Sequence, residues 1–169
     1  MKYSLRNFRR LENIEVEIEE KETIFVGPNN CGKTSATSAF RFFLADKNIF
    51  SIFDFSASHT KTINDYGYTG ALEPDTDFPK IEMDLWFSVD PATEYGRIAN
   101  LITITSIAHS EIGIRISLSS KDKEKLRSDY LELFPENEDG TLNSKTLFHF
   151  LTLSGNLKKY FELKYASFF

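Results

Sequence analysis

The sequence contains one cysteine, no glutamine and no long apolar run, and each absence excludes a class of protein. The lone cysteine, Cys31, excludes an internal disulfide framework and is typical of a protein of the reducing cytosol. A membrane-spanning helix needs about 20 consecutive apolar residues, and no segment approaches that length, so we expect no membrane contact. The net charge of -5 excludes a general attraction to nucleic acid.

Any DNA contact would therefore need a local basic patch, and the chain has one dense candidate. This patch consists of Lys2, Arg6, Arg9 and Arg10, and the acidic run EVEIEEKE follows it closely. Hydrophobic residues make up 41% of the 169 residues, including 16 Phe, so a sizeable core is expected. The chain stops in the apolar stretch YFELKYASFF, which is unusual for a natural end, so we expect a truncated chain.

Three segments have the period-two alternation of strands that are covered on one face. Residues 2–8, 13–20 and 81–89 alternate apolar and polar side chains, which predicts an antiparallel sheet. The segment TIFVG, residues 23–27, is apolar on both faces and predicts a central buried strand. The 16 residues GKTSATSAFRFFLADK contain no helix breaker and predict a helix from about Lys33 to Leu44.

The rest of the chain divides by composition. Residues 45–80 contain two glycines and two prolines after position 66 and predict a loop-rich insert with little regular structure. The segment LITITSIAHSEIGIRISLS predicts a hairpin that turns near residues 109–111. DKEKLRSDYLELF and SKTLFHFLTL predict helices. We therefore expect one α/β domain whose parts are entry strands and first helix (1–44), insert (45–80), antiparallel strands (81–119), and helices with a terminal strand (120–169).

Residues 25–40, FVGPNNCGKTSATSAF, contain the pattern G-x-x-x-x-G-K-[ST] as Gly27, Gly32, Lys33 and Thr34. Glycines let the backbone curl so that successive N–H groups point at phosphate oxygens, and the helix adds its positive N-terminal end. In such a loop the lysine reaches the β- and γ-phosphates and the threonine hydroxyl ligates Mg²⁺, with Ser35 available for the α-phosphate. The alternative is a strand-loop-helix turn that matches by chance, but the predicted strand and helix flank the loop as a phosphate cradle requires.

The segment LRNFRRLENIEVEIEEKETIFVGPNNCGKTSATSAFRFFL resembles the N-terminal opening of ABC-type ATPase heads of the SMC, RecF and OLD-nuclease group. The resemblance is specific over residues 1–44. It implies a P-loop NTPase fold, in which a central strand-P-loop-helix unit stands beside an antiparallel β subdomain, and it implies ATP and Mg²⁺ as ligands. Lys33 would be the catalytic residue and Thr34 the metal ligand. The implied nucleotide-binding residues are Arg9, Gly27, Asn29, Asn30, Cys31, Gly32, Lys33, Thr34 and Ser35; for Arg9 the alternative is a solvated charge in a turn.

Other parts of the family pattern are not identifiable in this sequence. DLWFSVD, which ends at Asp90, is the nearest imitation of a Walker B strand, but it alternates and precedes Pro91 rather than glutamate. LTLSGNL imitates the ABC signature, yet a helix that ends at Gly155 explains it more simply. The absence of glutamine leaves no Q-loop residue.

Three functions remain open from the sequence. The first is the N-terminal part of an ATPase head that, in a longer protein, dimerises through its heads and drives a DNA-acting machine. Such machines include OLD-like endonucleases, often in phage defence, and DNA repair proteins; DNA contact would come through further domains. The second is a nucleotide-binding regulatory module without hydrolysis. The third is a small P-loop kinase, which the many alternating strands disfavour.

Overall fold

A computed structural model describes residues 1–29, 31–44, 50–88, 111–135, 137 and 143–168. The strands in these ranges are β1 (Lys2–Phe8), β2 (Leu11–Glu17), β3 (Ile81–Ser88), β4 (Glu111–Ser120) and β5 (Phe161–Phe168). The helices are α1 (Lys33–Leu44), α2 (Ala57–Thr69), α3 (Lys123–Leu133), α4 (Leu147–Thr152) and α5 (Asn156–Tyr160), with a 3₁₀ helix at Ile52–Asp54. None of the described helices is long and apolar enough to cross a membrane.

The five strands form one antiparallel sheet in the order β2-β1-β3-β4-β5. The register of the β1–β2 hairpin places Lys2 opposite Glu17 and Phe8 opposite Leu11. β3 lies on the other side of β1 and pairs along its length with β4. The α/β fold with an antiparallel sheet, predicted from the alternating segments, is confirmed.

One face of the sheet carries the hydrophobic core. Tyr3 and Leu5 of β1 and Met83 of β3 are fully buried beneath the helices. The Tyr3 hydroxyl donates a hydrogen bond to the Ala36 carbonyl oxygen (3.2 Å), and its ring meets Phe40 edge-on at 4.8 Å. These contacts fix α1 on β1 and thereby place the start of α1 near the β1–β2 turn.

The opposite face, which the alternation predicted to be polar, contains a buried ion cluster. Asp84 is 1% exposed and accepts hydrogen bonds from Arg6 Nη2 (2.8 Å) and from Arg115 Nε and Nη2 (2.7 and 2.8 Å). Burial alone would raise the pKa of Asp84, but the hydrogen bonds and charges of Arg115 and Arg6 outweigh it and lower the pKa below its ordinary value. The cluster therefore ties together β1, β3 and β4.

The central strand expected at residues 23–27 is not formed, and this prediction is wrong for the described structure. Residues 22–27 have no regular secondary structure, and the side chains of Ile24 and Val26 are 71% and 89% exposed. A strand exists only when neighbouring strands satisfy its N–H and C=O groups. The described strands pair with one another and none pairs with this segment, so its apolar pattern has no sheet to join.

The insert at residues 45–80 was expected to have little regular structure, and the structure corrects this for its described part. The helix α2 spans Ala57–Thr69, with Ile63 and Tyr66 buried. Gly67 lies within this helix, and a Cβ at this position would stand 2.7 Å from Leu147 Cβ. Its missing side chain allows α2 and α4 to approach closely, so this glycine serves packing and does not break the helix.

Other sequence expectations have mixed outcomes. The first half of the hairpin expected at residues 101–119, with the start of its turn at His109, lies outside the described residues. Its second half is β4, which pairs with β3 and β5. Asp90, at the end of the Walker B-like segment, also lies outside the described residues. The helices α3 and α4 lie within the two segments for which helices were predicted. The sequence predicted a helix that ends at Gly155, but the structure places the helix end two residues earlier. α4 ends with Leu153 as its cap, and Gly155, with a φ of 84°, begins α5.

Candidate functional site

A cavity of about 340 Å³ lies between the β1–β2 turn and the start of α1. Its walls are Arg9 and Arg10 from the turn, Asn29 from the glycine-containing loop, and residues 32–35. The cavity thus brings together two segments that are more than 15 residues apart in the chain, and most of the residues predicted to bind a nucleotide line it.

The floor of the cavity is the N-terminal end of α1. The amide of Ala36 donates to the Gly32 carbonyl (2.9 Å) as the first hydrogen bond of the helical i→i−4 ladder. The amides of Lys33, Thr34 and Ser35 therefore precede the ladder and belong to the unsatisfied first turn, where the helix dipole is positive. The Thr34 and Ser35 hydroxyls have no hydrogen-bond partner among the described residues. This end of α1 offers only donors and hydroxyls to a ligand.

Lys33 lies over the loop that precedes it. Its ammonium donates hydrogen bonds to the carbonyl oxygens of Gly27 (2.5 Å) and Pro28 (2.6 Å), and it lies 3.7 Å from Cys31 Sγ. Gly27 and Cys31 therefore contact the lysine and do not line the cavity. Carbonyl oxygens are weaker partners for an ammonium than phosphate oxygens, so an anion in the cavity would compete for Lys33.

Gly32 has a structural reason to be glycine. Its φ is 96°, and a Cβ at this position would stand 2.6 Å from Leu11 Cδ2. A φ in this region disfavours any residue with a side chain. The loop can rest against the first residue of β2 only because position 32 has no side chain.

The β1–β2 turn is held by the segment that precedes α2. Arg9 has a left-handed φ of 57°, its amide donates to the Asp54 carbonyl (2.7 Å), and its Nε donates to Asp54 Oδ1 (2.8 Å). Its guanidinium also lies 5.0 and 4.9 Å from the ring centres of Phe8 and Phe42. Arg9 therefore lines the cavity, and part of its hydrogen-bonding capacity is engaged by Asp54.

Sequence reasoning did not select Arg10 as a site residue. The signal that could have done so is its position next to Arg9 in the predicted turn. The structure divides the basic patch of the sequence between separate places. Arg6 pairs with Glu82 and Asp84 on the far sheet face, and Lys2 lies 3.8 Å from Glu15. Only Arg9 and Arg10 reach the cavity. The patch therefore does not form one continuous basic surface.

Two of the site predictions concern Asn30 and the metal ligands. Asn30 lies outside the described residues. Among the residues that the structure does describe, no three His, Cys, Asp or Glu side chains form a metal-holding group. The described wall residues of the cavity include no carboxylate, and Asp84 in the Walker B-like strand is engaged by two arginines on the other face of the sheet.

The comparison with protein families agrees with this geometry. Residues 1–167 match the sequence profile described as the AAA ATPase domain. The chain belongs to the AAA ATPase domain family. No curated protein matches the sequence of this AAA ATPase domain. Among solved structures, it is similar to a chain from work on "Structural biochemistry of ATP-driven dimerization and DNA stimulated activation of SMC ATPases", with a TM-score of 0.41, 15% identity, and coverage of 94% of this chain and 87% of that one.

The family implies a bound nucleotide, typically with Mg²⁺, and the cavity suits the phosphates. Of the wall residues that the structure describes, three are cationic and none is acidic, and the first-turn amides of α1 are donors. These groups complement a polyphosphate. For Mg²⁺ the fit is partial, since Thr34 supplies a hydroxyl but no wall residue supplies a carboxylate. The predicted ATP-binding ATPase domain is confirmed at the level of the family.

Proposed function

We propose that the cavity between the β1–β2 turn and α1 is the ATP site of this AAA ATPase domain. The observation that carries the proposal is the cavity itself, in which Asn29 and residues 32–35 lie beside Arg9 and Arg10. The α1 amides would hold phosphate oxygens, Lys33 would contribute its positive charge to the phosphates, and Thr34 would supply a hydroxyl to a metal ion. Mg²⁺, when bound, neutralises charge that develops on the transferred phosphoryl group.

Gly27, Asn30 and Cys31 complete the proposed loop. The Gly27 carbonyl oxygen accepts a hydrogen bond from Lys33, and Cys31, exposed and without a disulfide, lies beside the same ammonium. An unpaired exposed thiol suits the reducing cytosol in which we place the protein.

For the whole protein we propose an ATPase head that pairs with a second copy and powers a DNA-acting machine. An OLD-like ATP-dependent endonuclease in phage defence, or a DNA repair protein, are the candidates that the resemblance of residues 1–44 supports. Among the described residues, no cavity wall residue supplies a carboxylate for water, and we propose that a segment from a facing head closes the site. DNA contact would come from further domains, because the basic patch of this chain is divided.

One observation favours a second candidate function, a regulatory module that binds nucleotide without hydrolysing it. The cavity has no carboxylate wall residue, and the described residues form no metal-holding group. A regulatory module that binds nucleotide without hydrolysis would have these features. A small P-loop kinase is disfavoured, because the described sheet is antiparallel throughout.

The full-length protein would test these proposals together. We expect ATP hydrolysis that Lys33→Ala abolishes, and cleavage of DNA that depends on ATP. Hydrolysis without DNA cleavage would support a repair or other DNA-acting head. Saturable ATP binding without hydrolysis would support the regulatory module.

A further inference from the structure

The two arginines of the β1–β2 turn have different surroundings. Arg9 donates to Asp54, which is buried, and its guanidinium lies near two aromatic rings. Arg10 is exposed and has no hydrogen bond or ion pair with any residue that the structure describes. Both line the cavity. One guanidinium therefore supports the fold, and the other is available to a ligand.

The backbone of Arg10 is fixed from both sides. On one side, the Arg9 amide and side chain both bond to Asp54. On the other, Leu11 is 7% exposed and rests against Gly32 at the base of the loop. A free side chain on a fixed backbone has less conformational freedom to lose on binding than one on a mobile loop.

The three cationic side chains of the cavity, Arg9, Arg10 and Lys33, differ in how far other groups already neutralise their charge. Asp54 already offsets the charge of Arg9 by its ion pair. Lys33 contacts two carbonyl oxygens, which carry no formal charge, and Arg10 contacts no described group. Arginine presents a planar fork of N–H donors that matches two phosphate oxygens at once.

We infer that Arg10 binds a phosphate group of a nucleoside triphosphate held by the α1 amides, and that Arg9, through Asp54, is the positioning residue that holds the turn in place. The inference rests on the proposed ATP site and adds to it a binding residue that lies outside the loop pattern.

Titration of the 169-residue chain with MgATP and with inorganic triphosphate would test it. Arg10→Ala should weaken both ligands about tenfold or more, because a hydrogen-bonded charge pair is lost. Arg10→Lys should recover part of the loss, since it keeps the charge without the fork. The matched control is Arg41→Ala, because Arg41 is an exposed arginine in the last turn of α1, away from the cavity, and this change should leave both affinities unaltered.

The positioning role of Arg9 makes a separate prediction. Arg9→Ala should lower the melting temperature by roughly 5 °C, whereas Arg10→Ala should leave it unchanged. Asp54→Asn should weaken triphosphate binding at temperatures where the variant is folded. In the Arg10→Ala background, Asp54→Asn should weaken binding no further, since the two changes act through one contact.

The outcomes separate this inference from the function on which it rests. If neither ligand binds the wild-type chain saturably, the proposed ATP site is overturned and this inference with it. If binding needs Lys33 but is unchanged by Arg10→Ala, only this inference is overturned. If Arg10→Ala weakens MgATP but not triphosphate, Arg10 acts on the nucleoside, and the phosphate assignment is wrong.

Discussion

The side chain of Leu11 occupies the space that a side chain on Gly32 would need. A Cβ on Gly32 would stand 2.6 Å from Leu11 Cδ2, and the φ of Gly32 is 96°. The contact joins the first residue of β2 to the loop before α1. It thereby sets the β1–β2 turn, with Arg9 and Arg10, against the helix end that forms the floor of the cavity.

We predict that Gly32→Ala weakens MgATP binding and lowers the free energy of unfolding by about 2 to 4 kcal/mol, the sum of backbone strain and overpacking. Gly155→Ala is the matched control, because Gly155 also has a positive φ, 84°, but an added Cβ there would meet nothing within 4 Å. It should cost only the backbone strain, about 1 kcal/mol, and leave binding unaltered. Urea unfolding of both variants measures the difference, and equal losses would mean that the Leu11 contact has no role.

We predict that Lys33→Ala in the full-length protein reduces ATP turnover by at least about 10²-fold, because an electrostatic contact to the transferred phosphoryl group is removed. A steady-state assay of phosphate release measures this. Lys61→Ala is a suitable control, since Lys61 is 83% exposed and pairs only with Asp65 in the described structure. Unchanged turnover in Lys33→Ala would refute the role given to this lysine.

We predict that Asp84→Asn destabilises the fold by about 3 kcal/mol, because two arginines lose a buried charged partner. The folded-state pKa of Asp84 is lowered, so its stabilisation is present above the unfolded pKa of about 3.9 and is lost as pH falls through the folded value. Below about pH 4, the wild type should therefore lose stability more steeply than the variant.

The control for this prediction is Asp77→Asn. Asp77 is 84% exposed and pairs with Lys80 at the surface, so its loss should cost less than about 1 kcal/mol. Urea unfolding at several pH values compares the three proteins. A pH dependence that is the same in wild type and Asp84→Asn would show that the ion pair does not contribute.

Local pattern was sufficient to predict the strands and α1. The alternation in residues 81–89 predicted β3, and α1 begins and ends at the expected Lys33 and Leu44. The same alternation could not reveal that Asp84 is buried. That depends on Arg6 and Arg115, which reach it from neighbouring strands and are 78 and 31 residues away in the chain.

Two errors have the same physical origin. Residues 23–27 have the composition of a central strand, but composition does not supply the neighbouring strands that hydrogen bonding requires. Gly67 was one of the residues that predicted a loop-rich insert, whereas its position in a helix is explained by packing against Leu147, 80 residues away in the chain. For the candidate site, Asn29 and residues 32–35, which the loop pattern selected, line one cavity. The pattern could not select Arg10, which lines the same cavity, because the position of Arg10 depends on the turn that Asp54 holds.

We predict that the 169-residue chain binds MgATP weakly and does not turn it over. The α1 amides and Lys33 suit phosphates, but none of the wall residues that the structure describes is a carboxylate that could activate or position water. Phosphate release from the purified chain measures this, with Lys33→Ala as the control for contaminating ATPases. Turnover on the order of 1 s⁻¹ or faster that disappears in Lys33→Ala would reveal a complete active site within this chain.

The central claim, that the β1–β2 turn and the start of α1 form a phosphate-binding site, is tested most directly by an NMR titration of the ¹⁵N-labelled chain with MgATP. The account predicts saturable shifts of the backbone amides of Asn29 and residues 32–35, with smaller ones at Arg9 and Arg10, and their loss in Lys33→Ala. No saturable shift, or shifts confined to a second surface cavity between residues 50–53 and 151–158, would contradict it.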